Sequence, residues 1–290
     1  MGCKILLTGA EGQLGNCLFY KLIEFFNVYS SSKNGNNKSK INKLDITDSA
    51  EVEKNINLFN PNIIINCAAI TNVDFCEKNK SICYDVNVNG LKNLIKHSDK
   101  ETKIIHISSD YVYDGKNNSY DETLAPNPIN YYGKTKLESE NILVGSRRSY
   151  IIIRPNTLYS LKGNNFFTWV YNSLINNTEI NVVDDQVSNP SFVPSLASSI
   201  IDIILMNGEG LYHHGAKDSI TRYDFAIAIS KKFNFNDKLI KKTNTKTLNQ
   251  VARRPLSSIL NCSKIENDFN IKMSYIDECL DNLYRNIHNA

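Results

Sequence analysis

The tightest constraint on the fold lies in the first thirty residues. KILLTGA reads as a buried strand, and Gln13 to Phe26 as a helix with Leu14, Leu18, Leu22 and Phe26 on one stripe. Between them, Gly9-Ala10-Glu11-Gly12-Gln13-Leu14-Gly15 places a glycine at every third position. Glycines at a strand-to-helix turn permit a sharp bend and let backbone approach a pyrophosphate closely. The helix N-terminus adds orphan N–H groups and a favourable dipole for the anion. A glycine-rich turn with no ligand is the plainer alternative, and the strand-turn-helix context weighs against it.

The alternation continues. Asn27 to Ser30 reads as a short strand and residues 31–43 (SSKNGNNKSKINK) as a polar loop. Asp48 to Phe59 has a helical pattern that stops before Asn60-Pro61. NIIINCAA is a continuous β-branched run, as expected of a strand buried on both faces. A helix near Lys80 to Lys96, the strand TKIIHISS, a helix at Tyr131 to Leu143 and the strand SYIIIRP follow. Repeated β-α-β of this kind predicts an α/β fold with a Rossmann-type doubly wound parallel sheet. After Pro155 the regularity fades. Helices are expected at Phe166 to Asn176, Pro194 to Met206, Thr221 to Phe233 and Tyr275 to Ile287, with short strands at EINVV and GLYHH. The expected division is a dinucleotide-binding domain of residues 1–155, with parts of 190–210 and 238–262 returning to it, and a smaller α/β substrate-binding lobe from the rest of 156–290.

Bulk properties exclude more than they select. The 290 residues are 41% hydrophobic and 22% charged, enough for one large or two modest domains. The net charge of +3 is spread without a dense basic stripe, so no nucleic-acid partner is expected. No apolar run approaches the ~20 residues of a membrane span. The chain enters a strand almost at once, so no signal peptide is expected, and Leu6 stands where a myristoylation signal needs Ser or Thr. The seven cysteines are odd in number, irregularly spaced and often in apolar runs; they read as buried reduced thiols of a cytoplasmic protein. His213 and His214 lie on an expected strand, where neighbours point to opposite faces, so packing outweighs metal binding and no metal is expected.

Tyr132 and Lys136 lie four residues apart, one helical turn. An ammonium on the same face as a phenol favours phenolate, so Tyr132 is expected to exchange a proton near neutral pH. Tyr131 fails this spacing, because Thr135 stands four residues on. Ser109 ends a buried strand, where open α/β sheets place ligands. Asp110, next to it, is either a site residue or a turn residue.

The Gly-x-x-Gly-x-x-Gly spacing with Tyr-x-x-x-Lys resembles the extended short-chain dehydrogenase/reductases. ISSDYVYDG, PINYYGKTKLESE, RRPLSSILNCSKIE and NCAAITNVDFCE resemble the dTDP-4-dehydrorhamnose reductase family, from the first strand to about Glu266. The resemblance implies NADPH-dependent reduction of the C4 ketone of a dTDP-4-keto-6-deoxyhexose. Tyr132 would donate the proton, Lys136 would hold the nicotinamide ribose and lower the Tyr132 pKa, and Ser109 would bind the carbonyl oxygen. Asn87 would brace the lysine, often through water. Gly9, Gly12 and Gly15 would bind pyrophosphate, with Glu11, Gln13 and Leu14 of the same turn beside it. Asp45-Ile46 would touch adenine, and Ala68, Ala69 and Thr71 would lie along the cofactor. Ser109, Asp110, Tyr111, Asn156, Gln186 and Arg254 form the expected substrate site; the arginine is alternatively a solvated charge.

Ser30 and Ser31, followed by Lys33 with no acid at the end of the second strand, suit a 2′-phosphate, so NADPH is expected, with NADH as the alternative. RPNTLYS departs from the family, which often has tryptophan where Thr157 stands, and this leaves the exact sugar open. SSDYVYDG, YGKTKLESE, FNFNDKLI and RRPLSSILNCSKIE are also similar to the regulatory β subunit of methionine adenosyltransferase, which implies an NADP-binding partner protein instead of an enzyme. Dehydratases usually carry Asp-Glu after the Ser/Thr, where this chain has Asp110-Tyr111. The expected ligand is a nucleotide sugar, and a homodimer is compatible with the sequence.

Overall fold

The computed structural model describes residues 2–288. Its centre is a seven-stranded sheet, all of whose neighbours run parallel. β1 (Lys4–Thr8) starts it, α1 (Gln13–Leu22) leads to β2 (Asn27–Ser32), and the short β3 (Asn42–Lys43) forms that edge. α2 (Ser49–Phe59) returns the chain to β4 (Ile63–Asn66), on the other side of β1. α3 (Val73–Lys78), α4 (Lys80–Tyr84) and α5 (Gly90–His97) precede β5 (Lys103–Ile107). α6 (Tyr131–Gly145) precedes β6 (Tyr150–Pro155). The order reverses between β1 and β4, and such a switch leaves a crevice outside the carboxyl ends of the strands.

The apolar runs alternate faces. Ile5, Leu7, Ile63, Ile65, Ile105, Ile107, Ile151 and Ile153 pack toward α1, the helix Val193–Leu205 and the helix Ser263–Phe269. Leu6, Ile64, Ile104 and Ile152 pack the other way, with Val52 and Ile56 of α2, Leu91 and Leu94 of α5 and Leu143 of α6. A strand covered on both faces has no polar side, which explains the unbroken β-branched runs. A second core fills the smaller lobe. There the parallel strands Ile180–Val183 and Ile240–Thr243 pack with the helices Phe166–Ile175, Arg222–Lys232 and Ile276–His288.

Several expectations differ in detail. α1 ends at Leu22 instead of Phe26, because Asn27 must already donate its N–H to the Cys3 carbonyl beside β1. β4 ends at Asn66, not Ala69; the Asn66 side chain accepts from Thr8 Oγ1 and the Ala68 N–H, turning the chain out of the ladder. The expected helix Lys80 to Lys96 is α4, a π-helical turn over Asp85–Asn89, and α5. GLYHH joins β6 as the far edge of the main sheet and not the small lobe. Within 238–262, Ile240–Thr243 belongs to the small lobe, while Leu260 and Cys262 pack on the main core. Among the described residues no helix is long and apolar enough to cross a membrane.

Candidate active site

The glycine turn closes on backbone. Gly9 has φ +67°, and a Cβ there would lie 2.7 Å from Cys67 C and Ala68 N. A Cβ on Gly15 would run into the Gly9 carbonyl. The Gly12 N–H donates to Gly9 O at 3.0 Å and caps α1 with no side chain, and the first turn of α1 holds no acid. Gly9, Gly12, Gln13, Leu14 and Gly15 border a crevice of about 370 Å³. This cradle, which side chains would fill, suits the phosphates of a dinucleotide.

The opposite wall comes from the end of β5 and the start of α6. Ser109 Oγ accepts the Tyr111 N–H at 3.1 Å and donates to Asp110 Oδ1 at 2.9 Å. Asp110 is buried, and among the described residues its Oδ2 has no hydrogen-bond partner. Burial raises the Asp110 carboxyl to about 6, with Ser258, Ser109 and Arg222 pulling it back. Asn130 caps α6, its side chain accepting the Gly133 N–H at 2.8 Å and donating to Arg253 O at 3.0 Å. A Cβ on Gly133 would strike the Tyr111 carbonyl, so this glycine lets α6 approach Ser109-Asp110-Tyr111. Ser109, Asp110, Tyr111, Tyr132 and Lys136 thus border the same crevice as the glycine turn, with Ala69, Thr71 and Asn156.

The ionisation of Tyr132 corrects the expectation. Burial raises the phenol above its ordinary value and the Ser109 hydroxyl opposes only part of that. The lysine yields instead: burial pushes Lys136 down to about 8, with Glu140 working against it. Its Nζ lies 3.4 Å from His106 Nε2, and burial beside that cation holds His106 well below its usual range. The Asn87 amide accepts from Ile70 N and donates to Ile70 O and Thr135 Oγ1, so it braces the segment after β4 against α6, beside Lys136.

Beyond the crevice lies a chamber of about 930 Å³, which shares Tyr111, Thr157, Phe166 and Arg222 with it. Gln186 and Arg254 border the chamber as expected of substrate residues. Arg254 pairs with Asp74 at 3.1 Å, and Gln186 donates to Thr245 Oγ1 at 2.9 Å. Arg222 was not anticipated. Its Nη2 donates to Thr157 Oγ1 at 2.6 Å, and its guanidinium lies 5.1 Å from the Phe166 ring centre. The only trace in the sequence is an arginine directly after the capping Thr221.

Other expected cofactor residues lie apart from the crevice. The Ser30 and Ser31 hydroxyls are buried, donating to Lys40 O and Leu7 O at 3.1 Å each. Asp45 binds Thr47 and pairs with Lys33 at 3.0 Å, and Ile46 is core. Ala68 lies against the Gly9 turn, and Glu11 is exposed. His213 Nε2 meets Tyr113 OH at 3.0 Å, while burial lowers His213 to about 3 and His214 to about 4, so both stay neutral. Among the described residues no group of three His, Cys, Asp or Glu side chains is placed to hold a metal ion.

Residues 3–288 match the family described as RmlD substrate binding domain. The chain belongs to the RmlD family. It is 35% identical to a dTDP-4-dehydrorhamnose reductase of Aggregatibacter actinomycetemcomitans, covering 97% of this chain and 98% of that one. The structure of the Bacillus anthracis dTDP-4-dehydrorhamnose reductase in complex with NADP superposes with a TM-score of 0.92 at 31% identity, over 99% of this chain and 100% of that one. Similarity to the Xenopus tropicalis methionine adenosyltransferase 2 subunit beta is lower, 28% over 91% of this chain and 82% of that protein. Within this RmlD family member the glycine turn, the serine and the Tyr-x-x-x-Lys pair all border one crevice.

Proposed function

We propose that this chain is a nucleotide-sugar 4-ketoreductase that reduces the C4 ketone of a dTDP-4-keto-6-deoxyhexose, with NADPH as reductant. The observation that carries the reading is the meeting of Tyr132, Ser109 and Lys136 with the glycine turn in one crevice that shares lining residues with a larger chamber. Bound NADPH supplies the hydride. Gly9, Gly12 and Gly15 hold its pyrophosphate against the α1 N-terminus, and Lys136 holds a ribose hydroxyl. Ser109 donates a hydrogen bond to the ketone oxygen. Tyr132, kept protonated by burial, gives that oxygen its proton, and the Lys136 charge steadies the phenolate left behind. Asp110 Oδ2 accepts a sugar hydroxyl. Gln186, Arg222 and Arg254 bind the nucleotide diphosphate in the chamber, and Lys33, the cation next to Ser32, meets the 2′-phosphate.

The test is an assay of purified protein with dTDP-4-keto-6-deoxyglucose, a 3,5-epimerase and NADPH. Substrate-dependent NADPH oxidation is the expected result. Stable NADPH binding without turnover overturns this reading and favours a regulatory partner or another sugar; a clear NADH preference overturns the choice of cofactor.

A further inference from the structure

Behind the Tyr132 ring lie two thiols that the proposed reaction does not use. Cys76 of α3 and Cys83 of α4 are both fully buried, and their Sγ atoms lie 2.7 Å apart. A disulfide bond is about 2.05 Å long, so bonding asks the sulfurs to close by less than ~1 Å. The two helices meet at Asn79, which caps the end of one and the start of the other, so the hinge between the thiols is a single residue.

This pair touches the site machinery. Cys83 Sγ accepts from Asn87 Nδ2 at 3.3 Å and lies 3.7 Å from Thr135 Oγ1. Thr135 donates to the Tyr132 carbonyl at 2.7 Å and directly precedes Lys136. Cys76 Sγ lies 3.6 Å from Ile70 O, the carbonyl that also receives Asn87. Val73, Tyr111 and Tyr132 pack on the thiols and also border the crevice, so one layer of side chains separates the sulfurs from its solvent.

We propose that Cys76 and Cys83 form a reversible disulfide that switches the Tyr132–Lys136 site off. The oxidant is a peroxide. The Cys83 thiolate attacks one peroxide oxygen, the O–O bond breaks, and sulfenic acid and hydroxide result; the hydroxide takes up the proton that Cys83 gave up and leaves as water. Cys76 sulfur then attacks the sulfenic sulfur, the S–S bond forms, and a second water leaves with the Cys76 proton. Two thiols lose two electrons in all, and one peroxide becomes two waters. Cys83 is the attacking thiol, because the Asn87 amide donates to its sulfur and the nearby Lys136 charge favours its thiolate. Bond closure draws Cys83 toward Cys76, away from Asn87 and Thr135. The first turn of α6 then loses its brace, and displacements near 1 Å at a reacting centre cost on the order of 10²-fold in rate.

The loss of rate rests on the reductase reading above; the bond itself does not. Wild-type protein is treated with hydrogen peroxide, remaining thiols are blocked, and peptides are mapped without reduction. The expected result is a Cys76–Cys83 linked peptide, with substrate-dependent NADPH oxidation at least ~10-fold lower and restored by dithiothreitol. The double variant Cys76→Ser with Cys83→Ser, whose hydroxyls retain the contacts with Ile70 O and Asn87 Nδ2, should lose none of its turnover under the same treatment. Absence of the linked peptide overturns the proposal, as does a linked protein with unchanged turnover. Equal inactivation of that double variant also overturns it and assigns the loss to another cysteine. If the untreated protein shows no turnover, the reductase reading fails alone, and the linked peptide still decides whether the bond forms.

Discussion

Tyr132 and Asp110 are both buried at the crevice, and both hold their protons more tightly than in water. For Tyr132 that suits a general acid, whose work begins from the protonated state. Tyr132→Phe removes only the hydroxyl and leaves the ring in place. Turnover should fall at least ~10²-fold with NADPH affinity little changed, as measured by steady-state rates and fluorescence titration. Near-normal turnover would remove Tyr132 from the chemistry. For Asp110 the same burial costs stability. Its folded value near 6 stands above the ordinary 3.8, so the folded protein binds the proton more tightly and the penalty grows as pH rises from about 4 to 6. Asp110→Asn abolishes that charge. Urea unfolding of the ligand-free protein should show the variant more stable by up to ~3 kcal/mol at pH 7 and without this gain at pH 4, while its activity falls. Equal stability at both pH values would show that the carboxylate is not penalised.

At the scale of the element, α6 carries the site because its buried stripe is polar. Tyr132, Lys136 and Glu140 recur every four residues and all three are buried. Glu140 forms an ion pair with Arg154 of β6 and accepts from Ser108 at the end of β5. Arg154 also donates to Tyr113 OH at 2.7 Å. This pair fixes α6 to the two strands that deliver Ser109 and Asn156. Glu140→Ala leaves a buried guanidinium without its partner, which should cost about 3–5 kcal/mol in urea unfolding. Replacing both members by apolar residues of similar volume, Glu140→Leu with Arg154→Met, should cost much less; an equal cost would show that packing alone matters. The Tyr-Lys spacing was legible in the sequence because a family motif marks it. Glu140 in KLESE was not, since a charged residue at helical spacing reads as a solvated face. The π-helical turn at Asp85–Asn89 was equally hidden, because apolar periodicity does not distinguish a widened turn from an α-helix.

At the scale of the whole molecule, two cores meet across the site, one built on the parallel sheet and one under the chamber. The first was legible: glycine turn and β-branched runs announced a doubly wound sheet. The assignment of later segments was less so. GLYHH looks alike whether it edges the main sheet or the small lobe, and only its pairing with β6 decides. Arg222 was illegible for the same reason: its importance lies in where the helix Arg222–Lys232 sets it, against Thr157 and Phe166, at the join of crevice and chamber. In the family Thr157 often gives way to tryptophan; here an arginine held on a small hydroxyl borders both crevice and chamber. Arg222 reaches the crevice from the lobe and lies beside Asp110, where its charge lowers the carboxyl. Its truncation should therefore weaken the nucleotide sugar and spare the cofactor. Arg222→Ala is expected to raise the KM for the nucleotide sugar at least ~10-fold, the loss of about one charge-assisted contact, with NADPH affinity unchanged. Arg222→Lys keeps charge without the fork and should recover only part of that. An unchanged KM, or an equal loss of NADPH binding, would mean that Arg222 holds the two lobes together and does not bind the sugar nucleotide.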